Sequence, residues 1–223
     1  MNASLDTDIV IHLYGSGKEG LIFDFFDQLY MHAYLYEQEL KIKSAPVFQK
    51  VFADVESGRI EIVSSKDLFD MGIQGLFERY KREYEYLFDS GELYAVSMAK
   101  AMGLVAFVSD DINEYGPHET LVRELIEDVM PFAFYELLFL KYLSSDINLE
   151  ELHQEFDAVT SQTMNRYPMK FRTKMAMTAR RFSQRHGTER DYNWVRQYCQ
   201  RQNIDYRDKM RGLKEYLSFL DPR

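Results

Sequence analysis

Cysteine is nearly absent. Cys199 is the single one in 223 residues, which excludes an internal disulfide and a thiolate zinc cage. Long apolar runs are missing as well. None reaches the length of a membrane span, and the N-terminus lacks the basic region and apolar core of a secretory signal. The expectation is a cytoplasmic chain with no membrane partner. There is no internal repeat and no low-complexity tract. The glycine-rich YGSGKEG at 14–20 lacks the spacing of a phosphate-binding loop, and no Ser or Thr follows Lys18. It reads as a turn.

Positive charge is scarce in the first two thirds. Residues 1–159 carry 12 Lys+Arg against 30 Asp+Glu, whereas residues 160–223 carry 15 against 6. The net −9 therefore hides an acidic body of −18 and a basic tail of +9. Such a split marks a segment that faces nucleic acid, or one that folds against an acidic body, its own or that of a second copy. Aromatics are abundant, with 16 Tyr and 16 Phe, and most belong in a core.

Strand and helix patterns alternate up to about residue 147. Strand patterns fall at 1–5, 31–36, 59–63, 104–108 and 130–135. Helical spacing runs over 21–29, 46–56, 71–88, 92–102, 117–129 and 136–143. Alternation of this kind predicts an α/β fold around a central, mostly parallel sheet. From Asn148 only helical spacing remains, at 149–163, 167–184, 190–202 and 206–220. Residues 148–223 are expected to be an all-helical extension, and they carry the positive charge.

The body is organised around LVAFVSDD at 104–111. An apolar strand runs into Ser109 and two adjacent carboxylates, Asp110 and Asp111. Neighbouring carboxylates repel, and a divalent cation is the usual agent that neutralises them. Acids recur where other strands hand over to helices: Asp6 with Asp8, Glu37 or Glu39, and Glu92. In a parallel sheet these ends gather along one edge. Singly, each acid is accounted for by a turn or a helix start. Gathered, four or five make an oxygen-ligand site for Mg²⁺ or Mn²⁺ that activates water and offsets phosphodiester charge.

The residues resemble a known family. LDTDIVIHL, the block GELYAVSMAKAMGLVAFVSDD at 91–111, YEQEL at 36–40 and MPFAFYELL together resemble the PIN-domain nucleases, over about residues 1–145. The resemblance implies a PIN-like three-layer fold at 1–147. It also implies a metal-dependent phosphodiesterase, most often a ribonuclease acting on single-stranded RNA. Its catalytic acids carry over onto Asp6, Glu39, Glu92 and Asp110, with Glu37 as the alternative second acid. Asp6, Glu92, Asp110 and Asp111 would hold one or two ions of Mg or Mn. Thr7, Asp8 and Ser109 would support them. Of the five histidines, only His118 falls near this site in the sequence reading.

Acidic sites repel nucleic acid, so affinity is expected from the tail. Arg166, Lys170, Arg172, Lys174, Arg180, Arg181 and Arg185 form a dense run, interleaved with Tyr167, Phe171 and Phe182. The aromatics stack on unpaired bases in one reading and form the core of a helical hairpin in the other, which is favoured. RNA, or DNA, is the expected partner, and a homo-oligomer is possible. A catalytically silent PIN-like module is the alternative. The toxin of a toxin–antitoxin pair, with an antitoxin-like partner, ranks lower because the chain is long for that role.

Overall fold

Five short strands run parallel in one sheet: β1 Asn2–Leu5, β2 Gln28–His32, β3 Ile60–Val63, β4 Ala106–Val108 and β5 Met130–Phe132. Their order is β3-β2-β1-β4-β5. The computed structural model describes residues 1–110, 126, 128–161 and 170–220. The chain divides into two compact units, Met1–Phe134 and Tyr135–Arg223. The division falls ahead of the change of pattern at Asn148.

The central strands are apolar because both faces of the sheet are covered. Ala3, Ser4 and Leu5 are all buried, as are Ala106, Phe107 and Val108. A parallel strand with two covered faces needs this continuous run rather than alternation. Edge strand β3 is less covered, with Ile60 and Val63 buried, Ile62 half-buried and Glu61 exposed.

In the first unit the helices are α1 Thr7–Ser16, α2 Gly20–Phe25, a π-helical turn Leu35–Leu40 that runs into α3 Lys41–Lys43, α4 Ala45–Glu56, α5 Ser65–Asp70, α6 Gln74–Tyr84 and α7 Ser90–Met102. Helix α7 packs along α6 and over β1, β2 and β4. Beneath it, Val96 and Ala99 join Phe107, Leu104, Tyr84 and Phe88, while Met98 and Ala101 join Val63, Leu68 and Phe77.

Three boundaries differ from the sequence pattern. The helix expected over 21–29 stops at Phe25, and the strand expected at 31–36 starts at Gln28. Leu29 and Met31 turn inward alternately with half-buried Gln28 and Tyr30, so the period there is two. The helix expected over 71–88 is shorter, α6 running only from Gln74 to Tyr84. Gly72 takes the left-handed conformation, φ 74°, and the Ile73 N–H closes back on Leu68 O.

The described elements of the tail are all helical: α8 Phe134–Ser144, α9 Leu149–Thr160, α10 Phe171–Arg181, α11 Glu189–Arg201 and α12 Tyr206–Phe219. Asn148 and Glu151 form a reciprocal cap at the start of α9. Phe171 and Phe182 are core, as favoured, whereas Tyr167 lies outside the described residues. His153 stacks on Phe171 at 4.1 Å, Phe156 meets the same ring edge-on, and Phe182 lies parallel to Phe139 at 6.0 Å. No described helix is long and apolar enough to cross a membrane.

Candidate active site

The order β3-β2-β1-β4-β5 reverses direction between β1 and β4. In open parallel sheets ligands bind at the carboxyl ends of the strands flanking such a reversal. Register pairs Leu5 with Val108, so the next residues, Asp6 and Ser109, emerge side by side. The ladder continues past the strands: Asp6 N–H donates to Val108 O at 3.0 Å and Ser109 N–H to Phe132 O at 3.0 Å.

Asp6 caps α1, its Oδ1 accepting from Thr7 N–H at 2.5 Å. Its Oδ2 accepts from the Ser109 hydroxyl at 2.9 Å. Asp110 is held just as firmly. Its Oδ2 lies 2.8 Å from His12 Nδ1 and its Oδ1 accepts from Phe134 N–H at 3.3 Å. Both carboxyls and the serine are buried. On α7, Asp89 is the cap and accepts from Glu92 N–H at 3.0 Å, and Glu92 itself is buried. Between them Gly91 packs directly on Asp6. A methyl there would overlap Oδ1 and lie 3.4 Å from the carboxyl carbon.

This packing concentrates negative charge in a dry place. Burial, with Asp8 and Asp89 adding to it, pushes Asp6 up to about 8, although the Ser109 and Thr7 hydrogen bonds pull it down. His12 shows the reverse balance. Burial opposes its charge, but Asp110 with Asp8 and Asp6 outweighs it and raises its pKa.

The second expected acid sits apart. Glu39 lies on the π-helical turn, and Lys43 lies 3.2 Å from both Glu39 and Asp8. The Glu39 contact is an ion pair without hydrogen-bond angles, since Oε2 has no hydrogen-bond partner. Glu37 is exposed on the same turn. Thr7 Oγ1 is buried without a hydrogen-bond partner among the described residues. Asp111, His118, Arg166 and Tyr167 lie outside the described residues.

The structure therefore brings Asp6, Ser109 and Asp110 together, with Glu92 in the helix turn that covers Asp6. Their carboxylate oxygens are the donors that Mg²⁺ and Mn²⁺ take. Among the described residues, however, no three Asp, Glu, His or Cys side chains converge closely enough to hold an ion. The chemistry of the donors fits a divalent metal, whereas a complete ligand set is not assembled in the described residues.

His12 is the residue at this edge that sequence reasoning passed over. It stands four residues after Asp8 on α1, so recognising IVIHL as helix would have placed both on one face. In the tail, Lys170, Arg172, Arg180 and Arg185 are exposed. Lys174 and Arg181 are not available to a nucleic-acid backbone, contrary to expectation. Both are buried, on the inward stripe of α10 that also holds Phe171, Met175 and Thr178. The Arg181 guanidinium donates to Glu136 Oε2 at 2.5 Å and to Asp191 Oδ2 at 2.7 Å, and Arg190 donates to Asp191 Oδ1 at 2.8 Å.

Comparison of the chain with protein-family models, with curated proteins and with solved structures finds no match.

Proposed function

We propose that this protein is a metal-dependent phosphodiesterase of the PIN-like kind, cleaving single-stranded RNA at the edge where β1 and β4 end. One observation carries the reading: Asp6 and Asp110 flank the point where the strand order reverses, and Ser109 ties them into one rigid edge. Asp6, Glu92 and Asp110, with Asp111 beyond them, are the residues that would hold Mg²⁺ or Mn²⁺. Such an ion lowers the pKa of a bound water and offsets charge on a phosphate oxygen.

The chain's own groups prepare that edge. Ser109 fixes the Asp6 carboxylate, and His12 fixes the Asp110 carboxylate from the far side. Gly91 lets the first turn of α7, which carries Glu92, come close to Asp6. The Asp8–Lys43–Glu39 ion pairs connect the second-acid segment to the first turn of α1. The exposed cations of α10 and its C-terminal turn supply attraction for the RNA backbone.

The test is cleavage of a labelled single-stranded RNA with Mg²⁺ or Mn²⁺. The wild type should cut, chelator should stop it, and Asp6→Asn or Asp110→Asn should abolish it. Purified protein that cuts neither RNA nor DNA with either metal overturns the reading.

A second reading has one observation in its favour. The absence of a converged ligand set among the described residues suits a PIN-like module that binds a partner without cutting. That module would bind RNA or protein equally well in chelator and in metal.

A further inference from the structure

A second group of side chains shares this edge. Ser4 pairs with Tyr30 across β1 and β2, so His32, the last residue of β2, stands level with Asp6. Both lie on the α7 side of the sheet. Ser4, two residues before Asp6, donates its hydroxyl to Ala95 O on α7. His32 packs on Tyr94 of the same helix, with ring centroids 4.8 Å apart. Tyr94 is three residues beyond Gly91, which touches Asp6. Residues three apart are neighbours on a helix face, about 5–6 Å between Cβ atoms. The aromatic group thus begins one helical turn from the buried carboxylates.

The group has an open side. Tyr34 stacks on Tyr94 at 4.4 Å and 15°. One ring face is thereby covered, yet Tyr34 remains 37% exposed. Lys81 Nζ lies 4.3 Å from the Tyr94 ring centroid and donates to its hydroxyl at 3.2 Å. Behind them His32 lies flat on Phe77 at 5.1 Å and 7°. Its Nδ1 accepts from Tyr34 N–H at 3.1 Å, which puts the ring proton on Nε2. Nε2 is buried and has no hydrogen-bond partner among the described residues. A buried donor without an acceptor is costly and calls for an explanation. Packing alone does not supply one.

We propose that Tyr34, backed by Tyr94 and His32 and flanked by Lys81, is the stacking site for an unpaired nucleobase of the strand whose phosphate lies at the Asp6–Asp110 edge. A base has the flat face that an open tyrosine ring takes, and stacking of this kind tolerates any sequence. The Lys81 ammonium, beside the Tyr94 ring, supplies a cation for the adjoining phosphate. A protein partner would find one aromatic ring and one cation here, whereas a single strand uses both together with the carboxylate edge. The inference rests on the nuclease reading for the placement of the strand, but the binding step needs no metal.

The experiment is equilibrium binding of a short single-stranded RNA to the full chain in chelator, with cleavage measured separately. Tyr34→Ala should weaken binding about 5- to 150-fold, the range of one base stacked on an aromatic side chain. Tyr34→Trp should retain binding. Lys81→Gln should lower the salt dependence by about one phosphate contact. Unchanged melting of Tyr34→Ala would show that the loss is not unfolding. If Tyr34→Ala binds as tightly as wild type, the stacking site is overturned, whether or not the protein cuts. If wild type binds no RNA in chelator, it is overturned as well. Binding that depends on Tyr34 in a protein that never cleaves upholds the stacking site and overturns the nuclease reading alone.

Discussion

Gly91 touches Asp6. The first turn of α7 and the end of β1 meet so closely that the glycine leaves no room for a methyl beside Oδ1, while Asp89 Oδ1 bounds the same space at 3.5 Å. Gly91 does not have positive φ, so the backbone itself would accept alanine. Helix propensity alone would make Gly91→Ala favourable by at most about 1 kcal/mol. The overlap with a carboxyl held by Thr7 and Ser109 should win instead, destabilising by about 1–3 kcal/mol. Urea unfolding decides by its sign. A stabilised Gly91→Ala would mean that Asp6 is free to move away.

Asp6 and His12 give the fold a pH dependence with a definite direction. Asp6 rises from 3.8 unfolded to about 8 folded, so across that window the native state holds the additional proton. Stability then falls as pH rises from about 4 to about 8. His12, raised above 6.5 by Asp110, acts in the same direction. Its contribution is complete below 6.5 and is lost as pH rises through the folded value. His32, pushed down to about 4 by burial with Lys81 adding, opposes them only below 6.5. The melting temperature in chelator should therefore drop between pH 6.5 and 8. Asp6→Asn, which still caps a helix, should flatten most of that drop. An unchanged slope in Asp6→Asn would show that Asp6 does not titrate there.

In the proposed metal site, His12 would act as a positioning residue through Asp110. Among the described residues, removing it leaves the Asp110 carboxylate with Phe134 N–H alone. Partners of this type are worth roughly 10- to 100-fold in metal affinity or activity. His12→Ala should shift the Mn²⁺ activation curve to higher concentration by that factor. His12→Gln, which restores a donor, should recover part of the shift. Equal curves for all three proteins would remove His12 from the account.

Arg181 holds the helical unit together. Its guanidinium is buried between Glu136 and Asp191, which draws Asp191 below its ordinary value against the effect of burial. Arg181→Met takes a buried cation away from Glu136 and Asp191, of which Asp191 keeps Arg190, and should cost about 3–5 kcal/mol in urea unfolding. A loss below about 1 kcal/mol would mean that the network relaxes into water. Asp191 also makes this unit sensitive to acid. Its contribution is present above its unfolded value and is lost as pH falls through the lowered one.

Much of the edge was legible because it rests on local chemistry. Asp6 after an apolar strand, Asp89 before a helix, Gly103 after one and the apolar run into Ser109 each declare themselves within a few residues. What stayed hidden depends on tertiary packing. Nothing local says that His12 reaches across 98 residues to Asp110, or that His32, Tyr34, Phe77 and Tyr94 from separate elements form one aromatic group. The dense basic run of α10 misled for a related reason. Charge alone does not report direction, whereas the spacing of Phe171, Lys174, Met175, Thr178 and Arg181 places two of its cations on the inward stripe. The late start of α6 follows a left-handed turn at Gly72 that composition does not show.

In the proposed reading, the β1–β4 edge binds a divalent metal through Asp6, Glu92 and Asp110. Calorimetric titration of Mn²⁺ into the full chain at pH 8 tests it most directly, with Asp6→Asn and Asp110→Asn alongside. The account predicts saturable binding of one or two ions by wild type and its loss in both variants. Wild type that takes up no Mn²⁺, or variants that bind as wild type does, would contradict it.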